Sequence, residues 1–119
     1  MPYDPNNIFA KILRGEIPCT KILEDEFSLA FHDAYPKAPV HALVIPKGAY
    51  INAQDFHQNA SPEEIVGFYR GASKAVDLLG LDKDGYRIIS NSGINGGQEV
   101  PHYHIHLLGG KKLGPMVEK

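Results

Sequence analysis

The sequence predicts an α+β fold in which an antiparallel sheet packs against one long helix. Three observations support this class. A long amphipathic helix pattern lies between two pairs of strand patterns, strands and helices do not alternate strictly, and a tight glycine-rich turn joins the last two strands. Such a turn can connect antiparallel strands but not parallel ones, which need a long crossover. The length of 119 residues predicts one domain over residues 1–119.

The first predicted element is a short helix within NNIFAKILRG, residues 6–15. Its apolar side chains, Ile8, Phe9, Ile12 and Leu13, follow the spacing of one helical face. Gly15 is placed to end the helix.

Two strands are predicted next. FSLAFHD, residues 27–33, alternates large apolar side chains with smaller or polar ones, as a half-buried strand does. The turn-like segment AYPKAP then leads to a second apolar strand, HALVIPK, residues 41–47, which ends near Pro46 and Gly48.

The strongest helix pattern covers residues 61–80, SPEEIVGFYRGASKAVDLLG. Ser61 can cap the N-terminus, Pro62 suits the first helical position, and Glu64 completes a capping box. Gly80 supplies the stop. The helix carries an apolar stripe that predicts packing on the sheet: Ile65, Phe68, Tyr69, Ala72, Val76 and Leu79.

The last two strands are predicted over YRIISN, residues 86–91, and QEVPHYHIHLL, residues 98–108, with the turn SGINGG between them. Alternate residues of a strand face the same side of a sheet. His102, His104 and His106 are therefore predicted to form a row, with Tyr103 and Ile105 among the residues on the opposite, core-facing side.

The row admits three interpretations. It could be an exposed strand face that is merely polar, although neighbouring imidazoles disfavour each other's protonation and pack no better than threonine. It could bind a metal with help from His41, His32 or Asp33, although the outer two histidines lie ~13 Å apart along an extended strand. The third interpretation is phosphorus chemistry, in which a neutral imidazole is the nucleophile and a glycine-rich turn binds phosphate through its backbone N–H groups.

Composition excludes several other classes. The net charge is −2 with no basic block, so neither a nucleic-acid nor a membrane-surface partner is expected. The single cysteine, Cys19, cannot form an internal disulfide and indicates a reducing compartment. No N-terminal apolar region and no run of about 18 apolar residues is present, so a cytoplasmic protein is expected.

The segment HYHIHLL fits the pattern His-φ-His-φ-His-φ-φ, where φ is hydrophobic, and so resembles the signature of the histidine-triad (HIT) superfamily. IFAKILRGEIP, LAFHDAYPKAPVHALVIPK, RIISNSG and GGQEVPHYHIHLLGG resemble its branch of nucleotide-binding proteins, in the same order and nearly ungapped. LLGG followed by LGPM is similar to bacterial members. This resemblance implies a HIT-like fold with about five antiparallel strands, one long and one short helix, and a sheet extended across a homodimer.

The resemblance also implies an activity, namely hydrolysis of the P–N bond in AMP or GMP phosphoramidates through a nucleotidyl-histidine intermediate. His104 would be the nucleophile, flanked by His102 and His106, with His41 as a fourth histidine of the site. No metal and no cofactor is implied. Two alternatives remain: hydrolysis of dinucleoside polyphosphates or nucleotidyl adducts, and a non-catalytic protein that binds nucleotide or zinc for a partner.

The resemblance further implies a purine nucleotide pocket. Asp33 would accept hydrogen bonds from the ribose hydroxyls. Phe9, Ile17, Phe31 and His32 would surround the base. Asn91, Gly97, Glu99 and Val100 would contact phosphate.

Overall fold

The computed structural model, which describes residues 2–117, contains one five-stranded antiparallel sheet and three helices within that range. The strands are β1 (Lys21–Glu24), β2 (Ser28–His32), β3 (Val40–Pro46), β4 (Arg87–Ile89) and β5 (Ile105–Gly109). The helices are α1 (Ile8–Leu13), α2 (Ala53–Asn59) and α3 (Pro62–Leu78). The strand order is β1-β2-β3-β5-β4, and every neighbouring pair is antiparallel. The predicted fold class is therefore confirmed.

Helix α3 forms as predicted because its end signals are local. The Ser61 side chain accepts from the Glu64 N–H, and the Glu64 carboxylate accepts from the Ser61 N–H, which completes the capping box. Pro62 is the first helical residue, and the helix ends one residue before its C-cap, Leu79. The buried side of α3 packs against β1, β2 and β3.

The sheet separates two apolar clusters. The main core lies on the α3 side and includes Phe56, Phe68 and Val76 together with Tyr103 and Ile105. The smaller cluster lies on the opposite side, under α1, and consists of Phe9, Leu29, Phe31, Leu43 and Ile45. Alternate residues of β2 and β3 supply the two clusters, as the period of a strand requires. This leaves the α1 side of the sheet only partly filled.

Four features differ from the elements predicted from residue patterns. Strand β1 lies in a segment for which no element was predicted. The predicted last strand is regular only over β5, so His102 and His104 precede it. The connection from β4 to β5 is a loop over residues 90–104 rather than a tight turn, and the side chain of Gln98 ties it to Gly93, Val100 and the carbonyl of Ile51 through three hydrogen bonds. Helix α2 was not predicted, so the protein has two short helices rather than one.

No helix within residues 2–117 is long and apolar enough to cross a bilayer.

Candidate active site

A cavity of about 870 Å³ opens on the α1 side of the sheet. It lies between α1, the loop after β2, the loop before β5, and β5 itself. Every predicted site residue except His102 lines this cavity: Phe9, Ile17, Phe31, His32, Asp33, His41, Asn91, Gly97, Glu99, Val100, His104 and His106. The structure thus brings together residues as far apart in the chain as Phe9 and His106.

The three alternating histidines do not share one environment. Tyr103, Ile105 and Leu107 belong to the main core, and the histidines lie on the other side, as predicted. His104 and His106 line the cavity, whereas His102 is 0% exposed and lies beneath it.

The ring of His104 is oriented by a backbone carbonyl. Its Nδ1 lies 2.7 Å from the carbonyl oxygen of His102. A carbonyl only accepts hydrogen bonds, so Nδ1 must carry the proton in the neutral ring. The Phe9 ring meets the imidazole edge-on, with centroids 5.0 Å apart. Nε2 of His104 is therefore an unprotonated nitrogen with a free electron pair.

The ring of His106 is oriented the opposite way. The backbone N–H of Lys37 donates to Nδ1 of His41 at 3.0 Å, so the proton of neutral His41 is on Nε2. This Nε2 lies 2.9 Å from Nδ1 of His106 and donates to it. His106 consequently carries its proton on Nε2, which is left to donate to a ligand.

His102 is held at both ring nitrogens. Its Nε2 lies 3.0 Å from the carbonyl oxygen of Pro46 and must donate to it. Its Nδ1 lies 2.6 Å from the hydroxyl of Tyr3.

Burial keeps all four imidazoles neutral near pH 7. It lowers the pKa of His102 from 6.5 to about 4, against an opposing effect of the hydrogen bond to Pro46. Burial, together with the neighbouring His104 and His41, also lowers the pKa of His106 to about 4. The pKa values of His104 and His41 are lowered by burial as well, although Asp33 raises both. A neutral imidazole keeps the electron pair that a nucleophile needs.

Asp33 follows β2 directly and lies beside this network. Its Oδ1 accepts from the backbone N–H of Tyr35 at 2.8 Å, and its Oδ2 lies 3.4 Å from Nε2 of His41. The carboxylate lines the cavity and retains electron pairs on both oxygens for a hydroxyl-bearing ligand.

Asp33, His41 and His106 are also close enough to hold a metal, since one ligand atom from each lies within 4.8 Å of the others. Their hydrogen bonds oppose this use. A metal needs the electron pair of Nε2 in His41, but the Lys37 N–H places the proton on that atom. Binding a cation here would require the bond from Lys37 to be lost.

The loop before β5 offers backbone donors to the cavity. Gly97 has a φ of 73°, a conformation that favours glycine, and its N–H donates to the Ile94 carbonyl. Within residues 2–117 the N–H groups of Glu99 and Val100 have no hydrogen-bond partner. Such free backbone donors suit an anionic ligand.

Some residues of the site were not predicted. Tyr3 and Lys37 each complete a hydrogen-bond chain to the triad, and Cys19, Tyr35 and Leu43 add wall area. Tyr3 lies in a segment without periodicity, and Lys37 acts through its backbone, so neither carries a sequence signal. Leu43 lies two residues after His41 and so on the same face of β3, but its sequence pattern is that of any core residue.

Fold and site together define a small α+β protein with a histidine-lined pocket on one side of an antiparallel sheet. The chain belongs to the HIT domain family, whose model matches residues 14–113.

Its relatives include bacterial proteins of similar length. A HIT-like protein of Azospirillum brasilense, described as uncharacterised, is 56% identical over 117 residues, which are 98% of this chain and 96% of the relative. A purine nucleoside phosphoramidase of Escherichia coli K12 is 43% identical over 111 residues, 92% of each chain. The solved structure of a HIT family hydrolase from Clostridium thermocellum superposes with a TM-score of 0.86 at 39% identity, covering 95% of this chain and 97% of the other.

Proposed function

We propose that this protein is a hydrolase that cleaves the P–N bond of purine nucleoside phosphoramidates through a nucleotidyl-histidine intermediate. The observation that carries the proposal is the opposite proton placement on two cavity histidines. His104 presents an electron pair at Nε2, and His106 presents an N–H at the same atom. The similarity to the phosphoramidase of E. coli supports the choice of bond.

In the first step, Nε2 of His104 attacks the α-phosphorus and forms a P–N bond to the enzyme. The bond from phosphorus to the amine nitrogen breaks, its electron pair goes to that nitrogen, and the amine leaves after taking up a proton from solvent water. The His104 ring then carries a positive charge, which the His102 carbonyl stabilises by accepting from Nδ1. The N–H of His106 and the free N–H groups of Glu99 and Val100 are suited to the phosphate oxygens.

In the second step, water attacks the phosphorus and the bond to Nε2 breaks. The water loses a proton to solvent, the electron pair of the broken bond returns to Nε2 of His104, and a nucleoside monophosphate is released. No metal ion or cofactor enters either step.

The rest of the cavity accommodates the nucleoside. Phe9, Ile17, Phe31, His32 and Asp33 line the cavity. We assign the three apolar side chains and His32 to the base, and the Asp33 carboxylate to the two ribose hydroxyls. Asn91 and Gly97 line the phosphate end with Glu99 and Val100.

We further propose a homodimer in a cytoplasmic setting. Strand β4 is an edge of the sheet, and its residue Ile88 is 52% exposed, so a second copy could extend the sheet by pairing along β4. Sedimentation or scattering at several concentrations tests this assembly.

The decisive experiment is intact-protein mass spectrometry after brief mixing with adenosine 5′-phosphoramidate, quenched without acid because P–N bonds are acid-labile. Wild type should gain one adenylyl group transiently and release AMP. His104→Ala should show no adduct, lose several orders of magnitude in turnover, and still bind AMP. His57→Ala is the matched control, since His57 is an exposed histidine outside the cavity.

Each alternative gives a different result. Faster cleavage of a dinucleoside polyphosphate than of the phosphoramidate would identify a P–O hydrolase with the same nucleophile. AMP binding without adduct or product in wild type would refute the enzymatic proposal and leave a nucleotide-binding module.

A further inference from the structure

The segment before α1 is folded against the triad, with Tyr3 as its inner residue. The backbone carbonyl of Asp4 accepts from the side chain of Asn7 at 2.7 Å, and its carboxylate accepts from the Asn6 N–H at 2.9 Å. The Asn7 side chain in turn caps α1 by accepting from the Ala10 N–H. This turn, anchored to the helix, directs the Tyr3 ring toward the sheet.

The Tyr3 side chain meets His102 in two ways. Its ring packs edge-on against the imidazole, with centroids 5.7 Å apart and planes at 69°. Its hydroxyl lies 2.6 Å from Nδ1. Because Pro46 fixes the proton of His102 on Nε2, Nδ1 can only accept, and the hydroxyl of Tyr3 must be the donor.

This contact matters because regular strand pairing does not hold His102. Strand β5 begins at Ile105, so the backbone before it is held by other bonds. One is the bond from the Tyr103 N–H to the Tyr50 carbonyl at 2.7 Å. The others reach the His102 ring, from Pro46 on one side and Tyr3 on the other. The position of the His102 carbonyl, which orients His104, therefore depends on hydrogen bonds at both nitrogens of the His102 ring.

We propose that Tyr3 is a positioning residue for the nucleophile: its hydroxyl clamps His102, whose carbonyl then keeps Nε2 of His104 unprotonated and directed into the cavity. The proposal rests on the phosphoramidase function proposed above. Tyr3 does not line the cavity, so it acts through His102 rather than on the substrate. Loss of the Tyr3 hydroxyl should slow the chemical step and leave nucleotide binding nearly unchanged.

The test is Tyr3→Phe, which keeps the edge-on ring and removes the hydroxyl alone. The control is Tyr86→Phe, since Tyr86 lies outside the cavity and its hydroxyl makes no hydrogen bond within residues 2–117. Turnover of adenosine 5′-phosphoramidate, AMP affinity and thermal unfolding are measured for wild type and both variants. Nitrogen NMR of the imidazoles reports which nitrogen of His102 and of His104 carries the proton.

For Tyr3→Phe, kcat should fall about tenfold, in the range that one buried hydrogen bond can supply, with AMP affinity changed less than about twofold. The Nδ1 resonance of His102 should move as its donor is lost, and His104 should become a mixture of its two neutral forms. Tyr86→Phe should match wild type in every measurement.

Three results would overturn the proposal: an unchanged kcat, a His104 that keeps its proton wholly on Nδ1, or a loss of AMP affinity as large as the loss of kcat, which indicates a general packing role. If wild type itself releases no AMP, the phosphoramidase proposal fails. The NMR comparison then decides the role of Tyr3 alone, because proton placement on His104 does not require turnover.

Discussion

Acid should destabilise this protein through His102 as the pH falls from neutral toward 4. The imidazole is fully buried, and burial lowers its pKa from 6.5 to about 4. Between these two pH values the unfolded chain binds a proton at this residue and the folded protein does not. The free energy of unfolding therefore falls as pH falls through this window. One residue with this shift contributes a loss of about 2 kcal/mol between pH 7 and pH 5, and about 3 kcal/mol by pH 4.

The assay is urea unfolding at several pH values on wild type and on His102→Gln. Glutamine does not titrate, and it offers an amide donor for the Pro46 carbonyl and an acceptor for the Tyr3 hydroxyl. The variant should lose about 2 kcal/mol less than wild type between pH 7 and pH 5. His106, whose pKa is also lowered to about 4, adds a slope of the same sign to both proteins.

His57→Gln is the control because it removes an exposed imidazole. Its pH dependence should follow that of wild type. Equal slopes for wild type and His102→Gln would refute the reasoning, since a residue that binds a proton equally in both states cannot couple pH to folding.

Four further predictions follow from the geometry. His106→Gln should lower kcat by about 10²-fold with AMP affinity nearly kept, as expected for a group that stabilises charge in the transition state; a matching loss of affinity would contradict this. Asp33→Asn should weaken AMP binding about tenfold in calorimetry but leave 2′-deoxy-AMP less affected, and equal losses would exclude a ribose contact. Glu99→Ala should alter the pH–rate profile for a nucleoside phosphoramidate with an alkylamine leaving group, because Glu99 or a water it holds is expected to protonate that amine. An unchanged profile would reject this role. Gly71→Ala should lower the free energy of unfolding by at least about 2 kcal/mol, because the added Cβ would lie 2.0 Å from the buried Ser28 hydroxyl; an unchanged urea midpoint would contradict it.

The elements that could be predicted from sequence are those whose signals are local. Helix α3 has its cap, its first proline and its apolar stripe within one stretch of chain, and all agree. Helix α2 lacks this agreement. Only Phe56 is buried among its seven residues, so the helix has no apolar stripe. Strand β1 lies at the edge of the sheet. Its two end residues are exposed and its two middle residues are partly buried, so burial does not alternate along the strand.

The face of each histidine could likewise be predicted, since alternation alone separates His104 from Tyr103. How deeply each imidazole is buried could not be predicted. Whether an imidazole lines the cavity or lies beneath it depends on what covers it, and Tyr3 covers His102 from 99 positions away. Contacts of such separation leave no trace in local periodicity.

The chemical difference between the histidines has a similar origin. An alternating sequence makes them equivalent, but the groups that meet each Nδ1 are not. A carbonyl at His104 forces the proton onto Nδ1 and frees the electron pair of Nε2. At His106 the chain of donors starting from the Lys37 N–H forces the proton onto Nε2. One site therefore holds an imidazole with a free electron pair on Nε2 beside another that donates from Nε2, without a charge on either.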